Sequence, residues 1–246
     1  MVAIVQARTG SSRLPGKTLK QLGGQSVLAR VLERLGQCRH IDQIVVATTV
    51  CGADDAICRE AESCGVAHFR GSEQDVLSRY HQAASRFFAT DVVRITSDCP
   101  LLDAELVDRM IRRYHELRSG PQPIDYLSNA LQRTFPHGHD AEVFTAASLQ
   151  AAWQAATRAY EREHVTPFIY LHPERFRVYH FRQAEDQSHY RWTLDEPADL
   201  EFFKTVFDHF GAGQPTTQQV LQLLDRHPEI SQLNAGVRQK KLDDAA

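Results

Sequence analysis

Short apolar runs rich in valine and isoleucine alternate along this chain with stretches whose apolar residues recur every three or four positions. That alternation is the mark of βα units around a mostly parallel sheet. The spacing predicts strands over Val2–Gln6, Ile41–Thr48, Val66–Phe69 and Val92–Thr96. Leu28, Val31, Leu32 and Leu35 place one apolar stripe on a helix between the first two strands. Further helices are expected over Asp75–Phe88 and from just after Asp103 to Leu117. The first half therefore reads as a doubly wound sheet.

Past a loop at Gly120 and Pro121 the simple alternation breaks, and the second half is mixed. Strands are expected over Ile124–Ser128, Ala141–Phe144, Phe176–Phe181 and Tyr190–Leu194, with Leu149, Ala152, Trp153 and Ala156 marking a helix among them. Leu200, Phe203, Phe207 and Phe210 form the face of a closing helix that stops at Gly211 and Gly213. Thr216–Arg226 reads as one more helix, followed by a polar, frayed end over residues 238–246. The expected fold is α/β: one domain over residues 1–210 and a helical extension over 211–246.

Composition narrows the classes of function. A chain of 246 residues, 42% hydrophobic and 24% charged, can bury one sizeable core. A net charge of -3 with interspersed signs offers no basic face for a nucleic-acid backbone, so no such partner is expected. The five cysteines form no C-x-x-C pair and read as reduced thiols in a reducing compartment. The start MVAIVQARTG has too short an apolar run for a signal peptide, and no later stretch is apolar enough to span a bilayer. The expected address is the cytoplasm, without a membrane partner.

Candidate chemistry begins directly after the first strand, in Gln6-Ala7-Arg8-Thr9-Gly10-Ser11-Ser12-Arg13-Leu14-Pro15-Gly16-Lys17. Small side chains let backbone N–H groups approach a polyphosphate, and Arg8, Arg13 and Lys17 neutralise its charge. The carboxyl end of a first strand is also where open α/β sheets bind ligands. The ending Gly-Lys-Thr invites comparison with the ATPase phosphate loop. That motif needs four residues between its glycines, whereas five separate Gly10 from Gly16, and Pro15 removes a donor from the cradle. The ATPase reading is rejected.

Two aspartates close the picture. Asp98 ends the strand Val92–Thr96 in an acidic turn and is placed to hold Mg²⁺ against phosphate oxygens. Asp195 ends the expected strand Tyr190–Leu194; alone it reads equally as a helix cap, and paired with Asp98 it completes a metal site. Asp103, followed by Glu105 and an apolar-periodic stretch, is assigned to capping.

The stretches QARTGSSRLPGK, VVATT, GSEQDVLSRY, VRITSDCPLLD, DYLSN, TFPHGHDAEVF, EREHVTPFIY and YRWTLDEPADL, an ordered series over about residues 2–210, resemble a known family. It is the cytidylyltransferase family of the spore-coat polysaccharide biosynthesis protein F, related to the enzymes that make CMP-sialic acid and CMP-Kdo. The resemblance implies a glycosyltransferase-A-like nucleotidyltransferase fold. By motif, Arg8, Gly10, Ser11, Ser12, Arg13 and Lys17 would bind the CTP triphosphate beside Gln6 and Ala7, and Asp98 and Asp195 would bind the metal. Ser72 and Asp75 would contact the nucleoside, although Asp75 reads equally as a helix cap.

The expected reaction is attack on the α-phosphorus of CTP by a sugar hydroxyl or sugar phosphate, with Arg13, Lys17 and Asp98 catalytic and pyrophosphate leaving. Asn129, Asp140, Glu142, Glu163, His164 and Arg191 are the polar groups proposed for the acceptor pocket; Glu163 and His164, at an expected helix start, read also as a capping pair. His137 and His139 are assigned to a loop, since their spacing fits no common zinc pattern. A homodimer through the second half, at Tyr160, Phe168 and Tyr170, is a further implication of the resemblance. A glycosyltransferase would more usually carry a paired Asp-x-Asp, and Asp98 is followed by Cys99-Pro100. A silent nucleotide-sugar-binding module would not need both aspartates.

Overall fold

The computed structural model describes residues 1–211 and 213–239. Strand β1 (Val2–Gln6) leads through a two-stranded ribbon, β2 (Gln21–Leu22) and β3 (Gln25–Ser26), into helix α1 (Val27–Leu35). Strand β4 (Gln43–Thr49), helix α2 (Asp55–Ser63), strand β5 (Ala67–Gly71), helix α3 (Val76–Arg86), strand β6 (Asp91–Thr96) and helix α4 (Ala104–Arg118) continue the alternation. Helix α2 has no counterpart in the sequence reading. Only Ile57, Cys58 and Ala61 of its nine residues are buried, too few for an apolar stripe to stand out.

The second half holds β7 (Tyr126–Ser128), β8 (Glu142–Thr145), α5 (Ala146–Ala155), α6 (Ala159–His164), α7 (Pro167–Tyr170) and β9 (Val178–His180). Helices α8 (Pro197–Phe210), α9 (Thr217–Arg226) and α10 (Pro228–Gln232) follow. The expected strand over Tyr190–Leu194 is not formed. Arg191 makes one isolated bridge to His137, and the segment otherwise runs outside the sheet.

Seven strands form the main sheet in the order β5-β4-β1-β6-β8-β7-β9. The pairs from β5 to β6 are parallel, β8 lies antiparallel to both β6 and β7, and β9 returns parallel to β7. The mostly parallel, doubly wound reading is borne out, with one reversed strand. Alternate residues of β1 explain its uniform burial: Ala3 and Val5 enter one core with α1, α2 and α4, while Val2 and Ile4 enter a second with α3, α5 and α7. Phe168 lies in this second core and Tyr170 packs against it.

A third apolar cluster joins Leu14, Leu22 and Val27 to Trp192 and Leu194, to Phe202, Phe203 and Phe207 of α8, and to Val220, Leu223, Leu224 and Ile230 of α9 and α10. It anchors the loop after β1 and the segment before α8 to the same body. Side-chain caps from Ser26, Asp75, Asp103, Thr145 and Thr216 open α1, α3, α4, α5 and α9, while Asp54 and Thr166 before α2 and α7 make none. Asp103 accepts the N–H of Leu106 at 2.9 Å, as assigned, and Asp75 that of Ser78 at 2.9 Å. All five cysteines are free, with Cys38, Cys58 and Cys99 buried. No helix among the described residues is long and apolar enough to cross a membrane.

Candidate active site

The strand order reverses at β1, which has β4 on one side and β6 on the other, and open α/β sheets bind ligands above such a point. Both acidic and basic motifs leave the sheet there. Ser97 donates its N–H to the carbonyl of Gln6 at 3.1 Å, so the β1–β6 ladder runs on into the turn that carries Asp98.

The loop after β1 is held internally and from below. The N–H groups of Ser11 (2.8 Å) and Gly16 (3.0 Å) converge on the carbonyl of Thr9. Thr9 donates its own N–H (2.8 Å) and hydroxyl (2.6 Å) to Oδ1 of Asp54, whose other oxygen accepts the Thr49 hydroxyl. Burial raises the pKa of Asp54, but the bonds from Thr49 and Thr9 outweigh it and keep the carboxyl below its usual value. Gly16, at φ +66°, turns the chain into a short 3₁₀ segment, Lys17–Leu19, that aims Lys17 back into the site.

Lys17 Nζ donates to Asp98 Oδ2 at 2.6 Å and to Asp195 Oδ1 at 2.8 Å, so one ammonium joins the two aspartates. Burial opposes the charged form of both partners. The two carboxylates nonetheless hold the Lys17 pKa above the ordinary lysine value, and Lys17 holds Asp98 below the ordinary carboxylate value. Arg13 lies 3.1 Å from Asp195 Oδ1 and 3.1 Å from Glu196 Oε1, and Arg191 donates to Asp195 Oδ2 at 3.1 Å.

Among the described residues no group of three or more His, Cys, Asp or Glu is arranged to hold a metal. Asp98 and Asp195 as a pair do fit Mg²⁺, which takes one or two carboxylates and fills its shell with water and substrate phosphate. The position of the Lys17 ammonium, between the two, is that of a cation.

These groups open on one cleft of about 790 Å³, inside the range of about 300–1,000 Å³ usual for ligand pockets. Gln6, Ala7, Arg8, Ser11, Ser12, Arg13, Lys17, Asp98, Asp195, Glu163 and His164, all singled out in the sequence, line it. Gly10 adjoins, 3.5 Å from Glu73 at its Cβ position. Glu163 and His164 stand at the end of α6 and not at a helix start; Val165, at φ 73°, breaks the helix after them. Burial lowers the pKa of His164.

The sequence model of a family described as Cytidylyltransferase matches residues 2–241, almost the whole chain and on through α9 and α10. The chain belongs to the cytidylyltransferase family. An uncharacterized protein of Methanocaldococcus jannaschii is 40% identical over 98% of this chain and 96% of its own length. The spore coat polysaccharide biosynthesis protein SpsF of Bacillus subtilis is 33% identical over 93% of this chain and 95% of its own. A cytidylyltransferase structure from Leptospira borgpetersenii superposes with a TM-score of 0.89 at 33% identity, covering 98% of this chain and 99% of that one.

In this cytidylyltransferase-family chain several residues selected for the site are engaged elsewhere. Asp75 caps α3 and pairs with Arg162, while Ser72 accepts the N–H of Asp75 at 3.0 Å. Asn129 accepts the N–H of Ala141 at 2.9 Å and donates to the carbonyl of His139 at 2.7 Å, clipping the β7–β8 connection. Asp140 is chelated by Arg133. Glu142 is buried on β8, where it is consumed by Arg94, the Tyr126 hydroxyl and the Thr166 hydroxyl. Arg191 serves the site indirectly, by holding Asp195.

Other site residues escaped the sequence reading. Thr18, Glu73, Gln74, Arg79, Thr96 and Ser97 also line the cleft. Arg79 donates to the carbonyl of Ser72 at 2.6 Å; it stands in GSEQDVLSRY, where its place one turn after the Asp75 cap was the available signal. Asp54 lies in none of the quoted stretches, and Asp199, though within YRWTLDEPADL, stands where an ordinary capping box would put it.

Proposed function

We propose that this chain transfers CMP from CTP to a sugar acid or a sugar phosphate with release of pyrophosphate, for polysaccharide or surface-glycan synthesis. The observation that carries this reading is Lys17 set between Asp98 and Asp195 beside a loop that also bears Arg8 and Arg13, all in one cleft at the β1/β6 switch point. Family membership supports the nucleotide, and the spore-coat relative supports the sugar.

In this mechanism an acceptor oxygen attacks the α-phosphorus, and the bond from that phosphorus to the bridging oxygen of the β-phosphate breaks. A sugar acid gives up its hydroxyl proton to water as the new P–O bond forms; a sugar phosphate attacks as the anion it already is. Arg8, Arg13, Lys17 and the N–H groups of Gly10 and Ser12 bind the polyphosphate and neutralise the charge that collects on the departing pyrophosphate. Asp98 and Asp195 would hold Mg²⁺, which when bound neutralises phosphate oxygens. Glu163 and His164 supply polar contacts on another part of the cleft wall, available to the acceptor.

The test is pyrophosphate release from each of the four nucleoside triphosphates with Mg²⁺, against 3-deoxy-2-keto sugar acids and sugar 1-phosphates. Release with CTP and one acceptor class is expected. Tight nucleotide binding without release from any pair would replace this reading with that of a glycosyltransferase or a binding module.

A further inference from the structure

Asp195 belongs to a segment outside the sheet, tied to the turn after β6 by the backbone bond from Leu194 to Asp98 and otherwise held by side chains. One of these is Asp199, fully buried in the first turn of α8: its Oδ2 accepts the N–H groups of Asp195 and Glu196 at 2.9 Å each and Arg191 Nη2 at 3.0 Å. Its Oδ1 accepts Arg191 Nε at 2.8 Å, and the same Arg191 reaches the Asp195 carboxylate. A residue outside this segment completes the arrangement. Asn234, just past α10 and only 3% exposed, donates from Nδ2 to Asp199 Oδ1 at 3.0 Å and to the carbonyl of Arg191 at 2.9 Å. Both partners are pure acceptors, so the amide nitrogen must face them and both its hydrogens are used.

We propose that Asn234 is a positioning residue for Asp195: the chain after α8 loops back through α9 and α10 to set the orientation of one of the two cation-facing carboxylates. This rests on the cation site of the proposed function. A buried amide with both hydrogens committed fixes Asp199 and the Arg191 backbone together, and these two fix Asp195 from its N–H and its Oδ2. Losing the amide leaves the Arg191 carbonyl unpaired and removes one partner from Asp199 Oδ1, so the bonded Asp199–Arg191 pair can shift as a unit and carry Asp195 with it, while Asp98 and the Thr9–Asp54 anchor of the loop after β1 keep their own contacts.

The measurement is the dissociation constant for CTP, by calorimetry on the full chain, once with Mg²⁺ and once with EDTA. The ratio of the two reports the contribution of the cation. Asn234→Ala and the isosteric Asn234→Asp are expected to bind CTP normally in EDTA and to lose at least about fivefold of the Mg²⁺ enhancement. Ile230→Ala, which thins the apolar contact of α10 without touching the amide, is the control and should lower the melting temperature while keeping the enhancement. Full enhancement in both Asn234 variants, with only a lower melting temperature, would reduce the residue to a staple and overturn the inference. A wild-type protein with no Mg²⁺ enhancement would defeat the cation site itself, and the inference with it.

Discussion

Leu194 donates its backbone N–H to the carbonyl of Asp98 at 2.8 Å, so the turn after β6 and the turn before α8 are stitched together at one candidate ligand and one residue before the other. The separation of the Asp98 and Asp195 carboxylates is therefore set by backbone on one side and closed by Lys17 on the other.

Lys17→Met should lower turnover by about 10²–10³-fold, the usual cost of removing one preorganised charge from a reacting centre. It should also change the response to pH. Asp98, with its pKa lowered in the fold, stabilises the protein above the ordinary carboxylate pKa, and that support is lost as pH falls through the lowered value. Lys17, with its pKa raised, stabilises below the ordinary lysine pKa and ceases to do so as pH rises through the folded value. The pair thus acts across the neutral range. The variant leaves Asp98 facing Asp195 with no cation between them, only Arg13 and Arg191 remaining on the far side of Asp195, and protonation of Asp98 relieves the repulsion. The gap in melting temperature between wild type and variant should shrink from pH 7 to pH 4, and thermal scans across that range test it.

Asp54→Ala should free the loop after β1 at Thr9 and raise KM for CTP by about tenfold, equivalent to about 1.4 kcal/mol, with a smaller effect on kcat. Steady-state kinetics with CTP varied would show this. An unchanged KM would mean that Ser11, Gly16 and Thr18 suffice to shape the loop.

A Cβ on Gly138 would lie 1.9 Å from the carbonyl oxygen of Trp192, at a φ of +106° that side chains disfavour. Gly138→Ala should therefore cost more than about 3 kcal/mol, measured by denaturant unfolding, because strain and overlap fall on the same residue.

Glu142→Gln should lower stability by about 3 kcal/mol and leave KM for the acceptor unchanged in the protein that folds. The substitution strands the charge of Arg94 among buried groups, and no part of Glu142 lines the cleft. Unfolding curves and acceptor kinetics on the same preparation separate the two effects.

The parallel half of the sheet was legible because strands buried on both faces, such as Val2–Gln6, leave unmistakable apolar runs. The loop after β1 was legible because size, charge and position coincide in one stretch. Polar residues of the second half were not sorted by sequence: Asn129, Asp140 and Glu142 differ from Glu163 and His164 only in whether a partner reaches them, and those partners, such as Arg133 and Arg94, announce nothing in the chain. Tyr190–Leu194 misled for a related reason. Tyr190, Trp192 and Leu194 do turn toward the cluster under α8 at every second position, but Thr193 between them is buried as well, and facing one cluster at that spacing does not require a neighbouring strand.

The ladder between β1 and β6 is built from backbone groups and tolerates most changes of side chain. The turn that carries Asp195 has the backbone bond from Leu194 to Asp98 and otherwise hangs on side chains, among them Arg191, Asp199 and Asn234, each a single codon. Mutation can therefore detach the carboxylate wall of the cleft while the wall that follows β1 persists, and descendants of this chain that give up catalysis have a short path to becoming proteins that only bind a nucleotide.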